Sequence, residues 1–75
     1  MFCLSDLRPG QRATVQALNT TGAMRRRLLD LGLIEGTGVE CLGRAPAGDP
    51  AAFLIRGTVI AIRDADSRGV LLRKG

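Results

Sequence analysis

Glycine and proline residues divide the chain into short segments, and only one of these segments has the apolar spacing of a helix. The breakers fall at Pro9-Gly10, at Gly32 and Gly36, and in the sequence GRAPAGDP at 43–50. Between them, apolar residues mostly alternate with polar ones, as in strands that bury one face. Strands this short must curl around one shared core, so the pattern predicts a small, mainly β barrel.

The alternating segments predict five short strands in a single domain, 1–75, because a chain of 75 residues without an internal repeat has room for one core. Leu4 to Gly10 is expected to form an opening turn that Ser5 caps and Pro9-Gly10 ends. Arg56-Gly57 is predicted to be a two-residue hairpin loop, and 64–69 a polar turn. The predicted strands are Ala13–Leu18, Thr37–Leu42, Ala51–Ile55, Thr58–Arg63 and Val70–Leu72.

The one helical segment is predicted at about Gly22–Leu31, inserted after the first strand, with cap oxygens available in 19–21. Met24, Leu28 and Leu31 recur at spacings of four and three, so they share one face of this helix. That face is expected to pack on the core.

The end of the helix is predicted at Gly32, in the left-handed conformation that commonly terminates helices. Leu33 then occupies the position at which a Schellman motif places an apolar residue, and it is expected to pack back on Leu28.

Arg25, Arg26 and Arg27 are consecutive, so on a helix they point about 100° apart and cannot form one flat patch. They fit the solvated back of a helix, with arginine stems covering the edge of the core. Two details favour a binding surface instead. Positive charge near a helix N-terminus is unfavourable, and Leu29 lies off the core stripe between Arg25 and Arg26.

The composition excludes several classes of function. The chain has no histidine, the commonest general base and metal ligand, and no GxxxxGK[ST] motif. Cys3 and Cys41 are isolated and are expected to behave as small buried apolar residues. We therefore predict no enzymatic activity, no cofactor and no dedicated metal site.

The chain carries a formal net charge of +4, but the basic residues are scattered among acidic ones. Phe2 and Phe53 are the only aromatic residues, and Phe53 is expected to be buried, which leaves little for base stacking or for a proline-rich peptide. The start of the sequence shows no signal peptide. The longest apolar runs, such as Val59–Ile62, are too short to cross a membrane. We expect a cytoplasmic protein.

Three blocks of residues span nearly the whole chain. They are Leu4-x-x-Leu7-x-Pro9-Gly10-x-x-Ala13-x-Val15, then Leu28-x-x-Leu31-Gly32-Leu33-x-x-Gly36-x-x-Val39, and finally Gly48-Asp49-Pro50 followed by Gly57-x-x-Ile60-Ala61-Ile62-Arg63. In this order, the blocks resemble the FeoA family of small cytosolic proteins that accompany the bacterial ferrous iron transporter FeoB. Ser67 departs from the family pattern, which usually has alanine before the last strand.

The resemblance implies an SH3-like β-barrel, a role in the transport of a transition metal, ferrous iron, and no catalytic residues. The implied partner is the cytoplasmic region of FeoB, including its GTP-binding domain. A chain without histidine is a poor iron carrier, so we expect it to act by protein contact. The residues predicted to make that contact are Arg25, Arg26, Leu29 and Leu33.

Two alternatives remain open at this stage. The same barrel occurs as the C-terminal domain of metal-dependent repressors that resemble the diphtheria toxin repressor, although the start at Met1 and the absence of a DNA-reading helix argue against that role. A small basic barrel that binds nucleic acid would show affinity that falls steeply with salt; we expect no nucleic acid partner. Edge strands of so small a barrel also allow a homo-oligomer.

Overall fold

A computed structural model describes residues 2–74 of the chain. The predicted domain of 1–75 includes Met1 and Gly75, which lie outside the described residues. Within the described range the chain forms six strands and two helices, with a 3₁₀ turn at Leu4–Asp6. The strands are β1 Phe2–Cys3, β2 Arg12–Leu18, β3 Gly38–Arg44, β4 Ala51–Ile55, β5 Thr58–Ile62 and β6 Val70–Arg73; the helices are α1 Gly22–Asp30 and α2 Asp64–Ser67.

All six strands join one antiparallel sheet in the order β1-β6-β2-β3-β4-β5. A single buried cluster takes residues from β2, β3, β4, β5 and β6 together with α1, so the sheet curls around one core. Phe53, Leu28 and Cys41 are fully buried there, which confirms the expected positions of the aromatic residue and one cysteine. The predicted mainly β class is therefore confirmed.

The alternation of apolar residues predicted most of this sheet. β4 matches its predicted bounds, and the Arg56-Gly57 loop joins β4 to β5 with Ile55 opposite Thr58, as expected. Both loop residues have positive φ, 52° and 79°, the requirement of the type I′ turn that suits a two-residue hairpin.

The structure corrects the expected number and order of elements. β1 was not predicted, because two residues are too few to show alternation. Since β1 precedes β2, α1 follows the second strand of the chain, whereas the sequence predicted that it follows the first. The expected polar turn at 64–69 begins as the short helix α2. β3 extends past Leu42 to Arg44 through a register shift between Cys41 and Gly43, which no alternation pattern would show.

The opening turn is also capped differently from the prediction. Asp6, not Ser5, supplies the oxygen: its carboxylate accepts a hydrogen bond from the backbone N–H of Cys3 at 3.0 Å. Cys3 is half-buried, unlike the fully buried Cys41. The turn at Pro9-Gly10 is present, closed by the N–H of Gln11 donating to the carbonyl of Arg8 at 2.9 Å.

Candidate functional site

The candidate site is built on α1, and the end of this helix follows the predicted Schellman motif. Gly32 has φ +95°, and its N–H donates to the carbonyl of Leu29 at 2.9 Å. The N–H of Leu33 donates to the carbonyl of Leu28 at 3.1 Å. These two bonds satisfy carbonyls that the helix leaves free and direct Leu33 into the core beside Leu28.

The core face of α1 is the predicted one. Leu28 is fully buried, and Met24 and Leu31 are half-buried against the same cluster. Thr21 is the N-cap residue, but its hydroxyl makes no capping hydrogen bond, so the expected side-chain cap is not formed.

The opposite side of the helix exposes Leu29, as the sequence predicted. Its side chain is 38% exposed, and both Arg25 and Arg26 are exposed beside it. Arg25 also donates from Nη1 to the carbonyl of Leu18 at 3.3 Å, which holds its stem over the end of β2. Within residues 2–74, the side chain of Arg26 makes no ion pair.

Arg27 differs from its two neighbours. Because α1 ends at Asp30, Arg27 lies in the last turn, where the helix dipole favours a positive charge. The unfavourable placement inferred from the sequence therefore applies to Arg25 alone, because Arg26 is the central residue of the nine-residue helix.

Leu33 lies beneath this surface, at the floor of a groove between α1 and β2. It has no exposed area, so its side chain is not available to a partner in this structure. Its sequence position just past the helix is what directs it inward.

Ile34, which was not predicted from the sequence, also belongs to this surface. Ile34 is 45% exposed and lines, with Leu29 and Arg25, a groove of about 230 Å³ between α1 and β2. The sequence patterns assign no role to Ile34, because its position depends on contacts distant in sequence. We refer to Arg25, Arg26, Leu29 and Ile34 as the helix patch.

The loop that carries Ile34 is fixed to β2 by backbone hydrogen bonds. The N–H of Gly36 donates to the carbonyl of Val15 at 2.9 Å, and the N–H of Val15 donates to the carbonyl of Thr37 at 2.8 Å. The hydroxyl of Thr37 donates to the carbonyl of Gly32 at 2.9 Å. The helix patch is thus held in place before any partner binds, which lowers the entropy cost of binding.

The remaining polar groups of residues 2–74 were considered as a possible metal site or as groups with a shifted pKa. No group of three or more Cys, Asp or Glu side chains is close enough to hold a metal ion within residues 2–74. The pKa of Asp6 is lowered, mainly because its carboxylate accepts the hydrogen bond from the Cys3 backbone and secondly because the Cys3 thiol donates to it. This carboxylate caps a turn.

Neither helix of the described chain has the length and the apolar composition that crossing a membrane requires.

A curled sheet of six antiparallel strands, with one principal helix on its surface, defines a small SH3-like domain. The chain belongs to the FeoA family: the FeoA domain matches residues 2–74. The resemblance found in the three sequence blocks is therefore confirmed.

Two solved FeoA structures match closely. The FeoA protein from Chlorobium tepidum is 36% identical, with a TM-score of 0.88, over 97% of this chain and 70% of that chain. The zinc complex of FeoA from Stenotrophomonas maltophilia, described as a prokaryotic SH3-domain protein, is 26% identical, with a TM-score of 0.86, over 97% of this chain and 91% of that one. Both likenesses cover the helix and the sheet together.

A curated relative joins a FeoA part to the transporter itself. The Fe(2+) transport protein A/Fe(2+) transporter FeoB fusion protein of Porphyromonas gingivalis is 28% identical over 64 residues, which are 85% of this chain. This chain spans only 8% of the length of that fusion protein.

A manganese-dependent transcriptional repressor also shares the fold. It is 16% identical, with a TM-score of 0.81, over 96% of this chain and 40% of the repressor. At that identity the likeness concerns the fold alone.

Proposed function

We propose that this chain is a non-enzymatic, cytoplasmic accessory protein of bacterial ferrous iron uptake. It binds the cytoplasmic GTP-binding region of a FeoB-type transporter through the helix patch. The observation that carries the proposal is the helix patch itself: two exposed apolar side chains, Leu29 and Ile34, with Arg25 and Arg26 beside them on a segment fixed by hydrogen bonds.

The fusion protein of Porphyromonas gingivalis supports the choice of partner. In that protein the two parts belong to one polypeptide, so they share one cellular site at a high effective concentration. A separate FeoA chain has to reach the same place by affinity. An exposed apolar pair rimmed by arginines has the composition of such a contact, because Leu and Ile supply burial while Arg supplies orientation and hydrogen bonds.

The arginines predict the kind of surface that the partner presents. Arg25 and Arg26 flank Leu29 at four and three residues earlier in the helix, so both reach over the same area. The complementary surface should therefore be apolar at its centre and acidic at its rim. Its affinity for this chain should weaken as salt is raised.

Iron is the cargo of the partner in this proposal, and the contact does not require metal. Histidine is absent from the chain, which removes the most common ligand of iron and zinc in proteins. Zinc is bound in the Stenotrophomonas maltophilia structure, so the point needs a direct test. Binding measured with and without a metal chelator should give the same affinity. Loss of binding on chelation would place a metal in the contact.

The experiment that tests the contact compares two double variants by calorimetry against the soluble GTP-binding domain of the cognate FeoB. Leu29→Ala with Arg26→Glu removes one apolar contact and reverses one charge of the helix patch, and we expect affinity to fall about tenfold or more. Leu42→Ala with Arg8→Glu is the matched control. Leu42 is 42% exposed, close to the value for Leu29, and Arg8 is exposed on the opening turn.

The control variant should bind like the unmodified chain. Equal affinity for all three proteins, or an equal loss in both double variants, would overturn the assignment of the contact to the helix patch.

A further inference from the structure

β5 lies at one edge of the sheet and lacks the features that usually protect an edge strand. Within the described residues it pairs with β4 alone, through five consecutive residue pairs without a bulge. Its sequence, Thr58–Ile62, contains no charge, proline or glycine. Proteins normally protect exposed edges with charged side chains, prolines, bulges or very short strands. The opposite edge, β1, has two residues and so offers little to pair with.

The hydrogen-bonding groups of β5 that face away from β4 can be assigned from the hairpin. Ile55 and Thr58 flank a two-residue loop, so they form a hydrogen-bonded pair, and such pairs alternate along an antiparallel ladder. Thr58, Ile60 and Ile62 therefore bond to β4. Val59 and Ala61 direct their N–H and C=O groups outward, and neither makes a backbone hydrogen bond to another loop within residues 2–74.

The side chains of β5 are apolar on both faces of the edge. Val59 is 62% exposed, and Ala61 is exposed on the same face. Ile60, on the other face, is half-buried against the core and keeps part of its surface open. A groove of about 380 Å³, lined by Ala61, Leu42 and Pro50 among others, lies beside the end of the strand. An added strand would find apolar neighbours on both of its faces.

The charges at the ends of β5 decide which occupant fits. Arg56 precedes the strand and Arg63 follows it, and both are exposed. Two acids lie near the Arg63 end, and both already accept hydrogen bonds: the Asp64 carboxylate from Arg68 at 3.3 Å, and the Asp49 carboxylate from the backbone N–H of Asp64 at 2.9 Å. A second copy paired antiparallel to β5 would bring Arg63 of one copy next to the Arg56 turn of the other at both ends. Like charges so placed are unfavourable.

We infer that β5 is a docking edge for an extended segment of a partner protein, about as long as β5, with β-branched apolar residues in its middle and Asp or Glu at both ends. The segment adds a seventh strand to the sheet. Its backbone pairs with the free groups of Val59 and Ala61, which supplies affinity, and its acidic ends meet Arg56 and Arg63, which supplies specificity. This mode needs no aromatic lining, so it suits a chain with two phenylalanines.

The test is an NMR titration of the full, isotope-labelled chain with two synthetic peptides. Both have alternating valine and threonine in the middle and capped termini; one has aspartate at both ends and the other has lysine. We expect amide shifts at Thr58–Ile62 with the aspartate peptide and binding about tenfold weaker with the lysine peptide.

Three variants make the assignment specific. Val59→Lys places a charge on the edge and should abolish binding, whereas Ala23→Lys places the same charge at an exposed residue of α1, outside the sheet, and should leave binding unchanged. Arg63→Glu should shift preference towards the lysine peptide, a result that a purely structural role would not produce. Heteronuclear spectra of each variant check that the fold is retained.

Absence of shifts at β5 with millimolar peptide would overturn the inference, as would equal binding by Val59→Lys and the unmodified chain. Concentration-dependent broadening of the β5 amides without peptide would also overturn it, because a second copy would then occupy the edge. The helix patch takes no part in this test, so its outcome is independent of the proposed contact with FeoB.

Discussion

The arginines of this chain serve different purposes, and each purpose is set by what the side chain reaches. Arg44 donates from Nη2 to the carbonyls of Ser5 at 2.8 Å and Leu7 at 3.1 Å, so it ties β3 to the opening turn. Arg25 reaches the carbonyl of Leu18. Arg26 stays exposed and is available for binding. The sequence shows ten arginines but not this division, because the partners of Arg44 are nearly forty residues away.

Ser67 has a buried hydroxyl group that we expect to lower the stability of the folded chain. The side chain is almost fully buried, and its Oγ has no hydrogen-bond partner within residues 2–74. Ser67→Ala removes this unsatisfied group, so we expect the free energy of unfolding in urea to rise by about 1 kcal/mol. Ser5→Ala, at a half-buried hydroxyl, should change it by less than about 0.5 kcal/mol. A loss of stability in Ser67→Ala would contradict this reading.

We expect the lowered pKa of Asp6 to make the free energy of unfolding depend on pH in the acid range. The hydrogen bond from Cys3 N–H lowers the pKa of Asp6 below its ordinary value of 3.8, so the ionised carboxylate stabilises the folded chain. This contribution is fully present above the ordinary pKa and is lost as pH falls through the lower pKa of the folded state. We expect the urea midpoint of Asp6→Asn to fall less between pH 7 and pH 3 than that of the unmodified chain. Glu35→Gln is the control, and an identical fall in Asp6→Asn and the unmodified chain would disprove the assignment.

At the scale of elements, the end of α1 controls how the helix meets the sheet. Gly32 allows the left-handed residue that closes the Schellman motif, and the Arg56 side chain of the β4–β5 loop lies against it. The end of α1 therefore contacts the β4–β5 hairpin at Gly32. It also determines that Leu33 turns inward while Ile34 remains exposed.

Gly32→Ala should destabilise the chain by about 1–2 kcal/mol, mainly through backbone strain at φ +95°. The Arg56 side chain is flexible and can move away from an added Cβ. In a domain of this size the loss corresponds to a fall in melting temperature of about 4 °C or more, measurable by calorimetry. Gly43→Ala, where an added Cβ meets nothing within 4 Å, is the control and should melt within about 2 °C of the unmodified chain. Equal melting of both variants would refute the role given to Gly32.

Periodicity predicted the elements that are long enough to show it. β2, β4, β5, β6 and α1 were predicted to within a residue or two at each end, because apolar runs, alternation and helical spacing all report the buried residues. β1 was missed because it has two residues, and α2 because a single helical turn does not show the helical period. The extension of β3 to Arg44 was missed because the register shift beside Gly43 interrupts the alternation.

For the molecule as a whole, the sequence predicted three of the four helix-patch residues: Arg25, Arg26 and Leu29. Helical geometry alone placed Leu29 between Arg25 and Arg26, and the structure confirms that Leu29 is exposed. Ile34 joins Leu29 only because hydrogen bonds fix the following loop to β2, which the sequence does not show. Leu33 was predicted as a contact residue, but the helix cap buries it.

The helix patch and the β5 edge are proposed to bind different kinds of partner. The helix patch combines apolar and basic side chains on a preformed surface, while the β5 edge offers backbone groups to an extended segment. The two proposals together predict that the chain binds a folded domain and a peptide at the same time.

The proposed contact between the helix patch and the GTP-binding domain of FeoB can be observed residue by residue. The most direct test is an amide-shift NMR titration of the labelled chain with the soluble domain of its cognate FeoB, at two salt concentrations. We expect shifts at Leu29, Ile34 and their neighbours in 24–34 that weaken as salt is raised, because Arg25 and Arg26 contribute to the attraction. Absence of shifts at millimolar protein, or shifts confined to the opposite side of the sheet, would contradict it.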